Sequence, residues 1–332
     1  MGTPHPFRPA IMSQPQWLTR AAELAAEALA LPVDAWAPNE TVAVVGMGAS
    51  THAATVFVEA LRAAGQRAVN LDASAIAHYP DDFCLGEHVI IISESGRSPE
   101  PLVVAERADV NPIVVTANPD SPLAQLASLV VPLGEFVDSG VYTIGYTTTL
   151  VALAAIAQAH GTFLADPASL AEVAEAALTD FSPLASLVAD QFGIPQFLDL
   201  VGPGPSYGSA QGAALLIRES TNLPAAAYET VQYLHGPMEA CGPNRATLLF
   251  GDGRERAIAE QIRAAGGLAV QVATTPGEAL PGVFRLGTPV TGYPSAIAET
   301  VFAQLLAAEW VERGGHQVGN WRFPQPDTKL PE

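Results

Sequence analysis

Short apolar runs alternate with longer stretches of helical spacing along most of this chain. The apolar runs are four to six residues long, as is typical of buried strands, and lie at 42–45, 88–92, 113–116, 197–201, 246–250 and 268–273. The longer stretches predict helices at 16–31, 51–64, 99–108, 146–160, 164–192, 210–220, 254–265 and 293–312. Because strands and helices alternate, the pattern predicts an α/β fold with a parallel sheet wrapped by helices.

Two strings 156 positions apart nearly repeat each other. Residues 45–50 read VGMGAS and residues 201–206 read VGPGPS, and each string follows an apolar run and precedes an alanine-rich stretch. This strand, glycine turn and helix unit presents free backbone N–H groups to an anion. A chain that contains it twice, about half its length apart, is predicted to be a duplicated α/β domain.

The predicted organisation has four parts. Residues 1–32 form an arm and a helix, 33–162 a first domain, 163–313 a connector helix with a second domain, and 314–332 a tail. Residues 1–10 are proline-rich and are expected to be disordered. The tail has no core of its own, so it either lies on another surface or stays loose.

Composition excludes several classes of function. The 332 residues include 15 basic and 34 acidic side chains, so the net charge of −19 disfavours nucleic acid as a partner. The two cysteines have no CxxC spacing, which argues against a disulfide framework and a structural zinc site. No apolar stretch reaches membrane-spanning length, and the first residues do not resemble a secretory signal. We therefore expect a cytoplasmic protein without membrane partners.

The strongest chemical signal of the first half is SESGRSP at 93–99, directly after a predicted strand. Three hydroxyls, a glycine and the start of a helix are suited to binding a phosphate. Ser50 and Gly48 of the first glycine loop are predicted to add donors. The alternative is an ordinary serine-rich helix cap. Dinucleotide binding is a further alternative, but GMGAST at 46–51 lacks the third glycine and leaves the serine cluster without a role.

The second half carries different chemistry. The counterpart of the serine cluster, LFGDGRE at 249–255, has no hydroxyl, so an anion is expected to bind the first half. Glu219 lies 13 residues after Ser206, about 20 Å along a helix, and is too far to serve its own glycine loop. Glu219 and His235 suit proton abstraction beside a carbonyl, although a solvated glutamate and a turn histidine are the simpler readings. The other histidines show no metal-ligand spacing, and no metal site is predicted.

These motifs together resemble the sugar isomerase (SIS) domain. Gly-x-Gly-x-Ser after a strand, Ser-x-Ser-Gly-x-Ser-Pro-Glu, Arg-Glu at 218–219 and His-Gly-Pro at 235–237 are similar to the isomerase half of the glutamine:fructose-6-phosphate amidotransferases. The resemblance runs from about Gln14 to the C-terminus. It implies two SIS domains, each a flavodoxin-like three-layer sandwich, and a small-molecule sugar phosphate as the ligand.

The resemblance also implies roles for individual residues. It assigns phosphate binding to one set of loop residues: Gly48, Ser50, Ser93, Glu94, Ser95 and Ser98. Glu219 corresponds to the glutamate that moves a proton between C1 and C2. His235 corresponds to the ring-opening histidine, which a homodimer supplies across its interface, and Lys329 to a lysine that reaches the sugar. No cofactor is implied.

Two departures from the family pattern bear on the reaction. Gly212 and Leu216 stand where the amidotransferases have a second glutamate and a lysine, and the chain lacks a glutaminase domain. The expected activities are therefore phosphosugar isomerisation, amino-sugar-phosphate deamination or deglycation. The alternative from another class is a sugar-phosphate-binding regulator that has lost catalysis.

Overall fold

The computed structural model describes residues 6–80, 82–107, 110–278, 280–323, 325 and 327–330. The chain divides into two compact units. The first-sheet unit comprises Gln16–Val137, Ile144–Ala171 and Arg322–Glu332. The second-sheet unit comprises Met1–Pro15, Asp138–Thr143 and Glu172–Trp321.

The first-sheet unit contains a five-stranded parallel sheet in the order β2-β1-β3-β4-β5. Its strands are β1 (Thr41–Gly46), β2 (Arg67–Asp72), β3 (His88–Ile92), β4 (Ile113–Thr116) and β5 (Leu129–Pro132). Its helices are α2 (Gln14–Ala28), α3 (Ala49–Ala63), α4 (Ala73–Ile76), α5 (Pro99–Ala105) and α6 (Ile144–Ala159). The strand order is that of flavodoxin-like folds.

The second-sheet unit repeats this topology. Its parallel sheet has the order β10-β9-β8-β6-β7, so β6 to β10 correspond in turn to β1 to β5. The strands are β6 (Phe197–Gly202), β7 (Ala225–Glu229), β8 (Arg245–Phe250), β9 (Leu268–Ala273) and β10 (Val283–Arg285). The helices are α1 (Phe7–Met12), α7 (Leu170–Phe192), α8 (Pro205–Thr221), α9 (Thr230–Leu234), α10 (Arg254–Ala264) and α11 (Ser295–Gly314). The predicted α/β fold with parallel sheets flanked by helices is confirmed.

The glycine loops that follow β1 and β6 adopt the same conformation. Gly48, at φ 53° and ψ −124°, precedes α3, and Gly204, at φ 48° and ψ −126°, precedes α8. Side chains are excluded at the first glycine of each loop. A Cβ at Gly46 would lie 2.9 Å from the Ser50 carbonyl carbon, and one at Gly202 would lie 2.7 Å from the Ser206 carbonyl oxygen. The sequence repeat therefore corresponds to a structural repeat.

The prediction of a disordered start is wrong from residue 7 onward. Residues Phe7 to Met12 form α1, and Phe7, Ala10 and Ile11 are buried. The guanidinium of Arg8 makes ion pairs with Glu309 and Glu312, both in the second-sheet unit. The prolines that suggested disorder are compatible with a helix because they lie before it or in its first turn. Residues 1–5 lie outside the described residues.

The long apolar stretches form core helices of the two units. In α6 every residue from Ile144 to Ala157 is buried, and α11 is buried from Ser295 to Ala308. Within the ranges that the structure describes, no helix combines the length and the apolar character needed to cross a bilayer.

Candidate active site

The serine cluster lies in the loop between β3 and α5, at the carboxyl edge of the first sheet. The Ser93 amide donates to the Val115 carbonyl at 3.1 Å, and the Gly96 amide donates to the Ser93 carbonyl at 3.0 Å. The Thr116 hydroxyl and the Ala117 amide both donate to the Glu94 carbonyl at 3.0 Å. Strand β4 therefore holds the backbone of this loop, as a preorganised site requires.

Three serine hydroxyls of this region make no hydrogen bond within the described residues. Ser93 is 5% exposed, and Ser50 and Ser98 are half-buried. Across the described part of the chain, no hydrogen bond engages the hydroxyls of these three serines, whereas the Ser95 hydroxyl accepts from the Arg97 amide at 3.3 Å. Helix α5 has only seven residues, so its dipole adds little to the chemistry of this loop, which depends on the hydroxyls.

The C-terminal tail reaches the same loop. The Leu330 amide donates to the Arg97 carbonyl at 2.9 Å, and the Arg97 guanidinium donates to the Leu330 carbonyl at 3.2 Å. Lys329 is exposed and is the chain neighbour of Leu330. The structure thus places the chain neighbour of Lys329 against the serine cluster within one unit, and the role of Lys329 toward a sugar stays a prediction.

Gly96 is required by the turn within the cluster. Its φ is +62°, and a Cβ there would overlap the side chain of Ser121. We expect Gly96→Ala to lower the free energy of unfolding by about 3 kcal/mol or more, because it combines left-handed strain with overpacking. Gly65→Ala is the matched control, since Gly65 has φ +91° with open space around it and reports the strain alone, about 1 kcal/mol. Urea unfolding measures both, and equal losses would contradict the steric account.

Glu219 lies near the C-terminal end of α8. Desolvation by burial raises the pKa of its carboxyl to about 7, and the positive charge of Arg218 opposes this shift. The Arg218 guanidinium donates to the Ala225 carbonyl at 3.0 Å. The positions three and seven residues earlier on the same helix face are Leu216 and Gly212, which carry no charge. Glu219 is thus a carboxyl that titrates near neutrality, as a general base requires.

His235 ends the short helix α9 and is exposed. Helix α9 is fixed at both ends. The Glu229 carboxylate caps it by accepting from the amides of Val231 at 2.8 Å and Gln232 at 3.0 Å. Near its other end the buried Tyr233 hydroxyl donates to Asp199 at 3.0 Å. The imidazole is therefore solvent-accessible on a backbone that buried groups hold in place.

The raised pKa of Glu219 predicts a pH-dependent stability. The folded-state pKa of about 7 exceeds the ordinary 4.5, so the folded state binds more protons than the unfolded state between these values. The free energy of unfolding therefore falls as pH rises through this window. Glu219→Gln removes this titration. We therefore expect the change that it causes in the free energy of unfolding to be more favourable at pH 8 than at pH 5 by about 1–2 kcal/mol. Urea unfolding at both pH values measures this, and an equal effect at both would contradict the shift.

Two residues that bear on the dinucleotide alternative, Thr51 and Asp72, contact each other in the structure. Asp72, the expected ribose ligand, lies 3.3 Å from the Thr51 hydroxyl, which donates to it. Thr51 occupies the place of the third glycine of that motif.

The structure also bears on two other kinds of chemistry, metal binding and cysteine reactivity. Within the described ranges, no group of three or more His, Cys, Asp or Glu side chains is placed to hold a metal ion. Cys84 and Cys241 are both free thiols.

Sequence reasoning missed two parts of these sites. The first is the pairing of Arg97 with Leu330, which joins positions 233 apart in the chain. The second is a pair of buried glutamates in the second-sheet unit, Glu255 and Glu299. Glu255 had a local signal, because it directly follows the glycine loop after β8. Glu299 had none, because it lies within an apolar helix far from the loop it contacts.

Comparison with known proteins gives a likeness of structure without a likeness of sequence. No family model and no curated protein sequence matches this chain. The C-terminal domain of glucosamine-fructose-6-phosphate aminotransferase from Francisella tularensis superposes with a TM-score of 0.78 at 18% identity, covering 96% of this chain and 98% of that one. Tagatose-6-phosphate ketose/aldose isomerase from Escherichia coli gives 0.77 at 16% identity, over 98% and 100% of the two chains.

Glucosamine-6-phosphate deaminase from Thermotoga maritima gives a TM-score of 0.73 at 19% identity, over 93% of this chain and 95% of that one. All three likenesses extend over nearly the whole of both chains. At these identities they establish that this chain has the α/β fold that the three enzymes share.

Proposed function

We propose that this chain is an enzyme of the SIS type that acts on a ketose or hexosamine phosphate. The reaction is isomerisation, deamination or deglycation, and each begins with the transfer of a proton between C1 and C2. The observation that carries the proposal is Glu219, a half-buried carboxyl with a pKa raised to about 7 in a chain that also presents a loop of unengaged serine hydroxyls. The three structural neighbours support it, because each is named for a sugar 6-phosphate substrate or product class.

The loop after β3 binds the phosphate. Hydroxyls of Ser50, Ser93 and Ser98 donate to the phosphate oxygens, and Ser95 adds a fourth hydroxyl. Gly48 lets the start of α3 approach the ligand, and Glu94 lies in the same loop with its backbone carbonyl fixed by β4. Charge-assisted hydrogen bonds of this kind hold a small anion although the chain as a whole is strongly acidic.

Glu219 carries out the proton transfer. As a carboxylate it takes the proton from C2 of the open-chain aldose, the electron pair of the C–H bond forms the C1–C2 double bond, and the pair of the C1 carbonyl moves to O1, which gives an enediolate. The O2 proton moves to O1, and Glu219 returns the first proton to C1, which gives the ketose. The same abstraction on a hexosamine phosphate gives an enolamine, from which deamination proceeds by hydrolysis.

His235 and Lys329 complete the proposed machinery. An imidazole protonates the ring oxygen and accepts the proton of the anomeric hydroxyl, which opens the sugar ring. In the proposed homodimer His235 is contributed across the subunit interface. Lys329 contacts the sugar oxygens, which the hydrogen bond from the amide of its neighbour Leu330 to the Arg97 carbonyl supports.

A panel of substrates tests the proposal. Hexose and hexosamine 6-phosphates are incubated with the chain, and aldose–ketose conversion and released ammonia are followed in parallel. We expect turnover of at least one phosphorylated sugar and none of its unphosphorylated counterpart. Stoichiometric binding without turnover across the panel would contradict the enzyme proposal and favour the regulatory alternative, which Gly212 and Leu216 motivate.

A further inference from the structure

The second-sheet unit contains the same two loops as the first-sheet unit, and buried carboxylates fill them. The glycine loop after β6 and the loop after β8 correspond to the loops that carry Ser50 and Ser93. The Gly251 amide donates to the Val272 carbonyl at 3.2 Å, just as the Ser93 amide donates to the Val115 carbonyl. Glu299 is 2% exposed and Glu255 is 1% exposed at this edge of the second sheet.

The carboxylate of Glu299, a residue of α11, lies at the start of α8. Its carboxylate accepts from the Ser206 hydroxyl at 2.7 Å, and Ser206 is the counterpart of Ser50. Complete burial raises the pKa of Glu299 to about 6, and the hydrogen bond from Ser206 opposes this shift. The hydroxyl of Ser206 therefore binds this carboxylate at the place where the first-sheet unit has the hydroxyl of Ser50.

The carboxylate of Glu255, the second residue of α10, binds the loop after β8. Its carboxylate accepts from the Gly253 amide at 2.9 Å and from the Thr230 hydroxyl at 2.5 Å. A Cβ built on Gly251 would lie 3.2 Å from Glu255 Oε2 and 3.3 Å from Pro203 Cδ, so Glu255 also lies beside the glycine loop after β6. The charge of Glu255 raises the pKa of Glu299, which places the two carboxylates within electrostatic range of each other.

The donors that these carboxylates use are those that a bound phosphate uses. Two hydroxyls, those of Ser206 and Thr230, and the loop amide of Gly253 donate to them. In the first-sheet unit, α6 carries threonines at 147–149, in the turn that corresponds to Glu299 on α11. In the second-sheet unit, carboxylates thus bind the hydroxyls of Ser206 and Thr230 and the Gly253 amide, whereas among the described residues of the first-sheet unit no hydrogen bond engages the hydroxyls of Ser50, Ser93 and Ser98.

We propose that the second-sheet unit contains a latent phosphate-type site whose ligand is internal: the carboxylates of Glu255 and Glu299 take the place of a phosphate dianion. This explains why the duplicated chain has retained the glycine loop at Gly202–Gly204 without a serine cluster beside it. It also fixes the N-terminal end of α8, whose other end carries Glu219.

Shortening both side chains tests the proposal. Glu255→Ala with Glu299→Thr removes the internal anion and places at 299 the residue type found in α6. Equilibrium dialysis with inorganic phosphate is expected to show one more phosphate bound per chain in this variant than in the natural chain. The prediction is a difference of one bound phosphate between the two chains. This difference can be measured even if the first-sheet unit binds no phosphate and the proposed function fails.

Two matched variants distinguish opening of a site from loss of charge. Glu255→Gln with Glu299→Gln removes the charges but keeps the volume, and we expect no additional phosphate. Adding Ser206→Ala to the shortened variant is expected to abolish the gained site. If the shortened variant folds and gains no phosphate, the proposal is overturned.

The natural chain provides a test that does not depend on any variant folding. In a crystal of the natural chain soaked in phosphate, we expect the carboxylates of Glu255 and Glu299 to keep their bonds to Gly253 and Ser206. A phosphate bound to Ser206 and Gly253 with both carboxylates displaced would overturn the proposal.

Discussion

Glu219→Gln is expected to lower kcat for sugar phosphate conversion by about 10²–10⁴-fold, because a carboxamide cannot accept the proton. The affinity for the sugar phosphate should stay within about threefold of the natural value, since the proposal assigns phosphate binding to the serine cluster and not to Glu219. Steady-state kinetics for kcat and calorimetry for binding measure the two effects separately. A variant with full activity would overturn the proposed role of Glu219.

The same carboxyl sets the pH dependence of the reaction. Because the pKa of Glu219 is raised to about 7 and the base must be deprotonated, kcat/KM should rise with pH and level off above about 7. Glu260→Gln is the control, because Glu260 is an exposed glutamate of α10 that pairs with Arg256 at 3.8 Å. It should leave kcat and the pH profile unchanged.

Ser93→Ala with Ser98→Ala is expected to raise KM for the sugar phosphate by about 10²-fold or more, because each hydrogen bond to a charged group contributes about 1.5 kcal/mol or more. The chain should still fold, since the Ser98 hydroxyl makes no capping bond to α5 and the Ser93 amide, not its hydroxyl, holds the loop to β4. Kinetics with the phosphorylated sugar measure the change.

Ser128→Ala provides the matched control for the serine variants. Ser128 belongs to the same unit, and its hydroxyl donates to the carbonyls of Asn111 at 3.2 Å and Pro112 at 2.9 Å. It should leave KM unchanged. An unchanged KM in the Ser93 and Ser98 variant as well would place the phosphate elsewhere.

The sequence predicted the inner strands of both sheets and none of the edge strands. The six predicted runs correspond to β1, β3, β4, β6, β8 and β9, which are flanked on both sides in their sheets. The four strands that the hydrophobic pattern did not predict, β2, β5, β7 and β10, are the outermost ones. Edge strands are partly exposed, so a sequence such as RAVNLD at 67–72 has no continuous apolar run.

The sequence predicted the separate motifs of the site better than their surroundings. Ser93 and Ser50 were accessible to sequence reasoning because hydroxyls, glycines and a preceding strand lie within a few residues. The tail contact between Leu330 and Arg97, and the bond between Ser206 and Glu299, join distant parts of the chain and left no local signal. The pKa of Glu219 was likewise not predictable, because it depends on burial by the folded unit.

Proton transfer at carbon tests the central claim most directly. The best phosphorylated substrate of the panel is incubated in D₂O with the natural chain and with Glu219→Gln, and the sugar carbons are followed by NMR. We expect the natural chain to introduce deuterium at C1 or C2 during conversion, and the variant to introduce it at least about 10²-fold more slowly. Deuterium incorporation at the natural rate in Glu219→Gln would contradict the account.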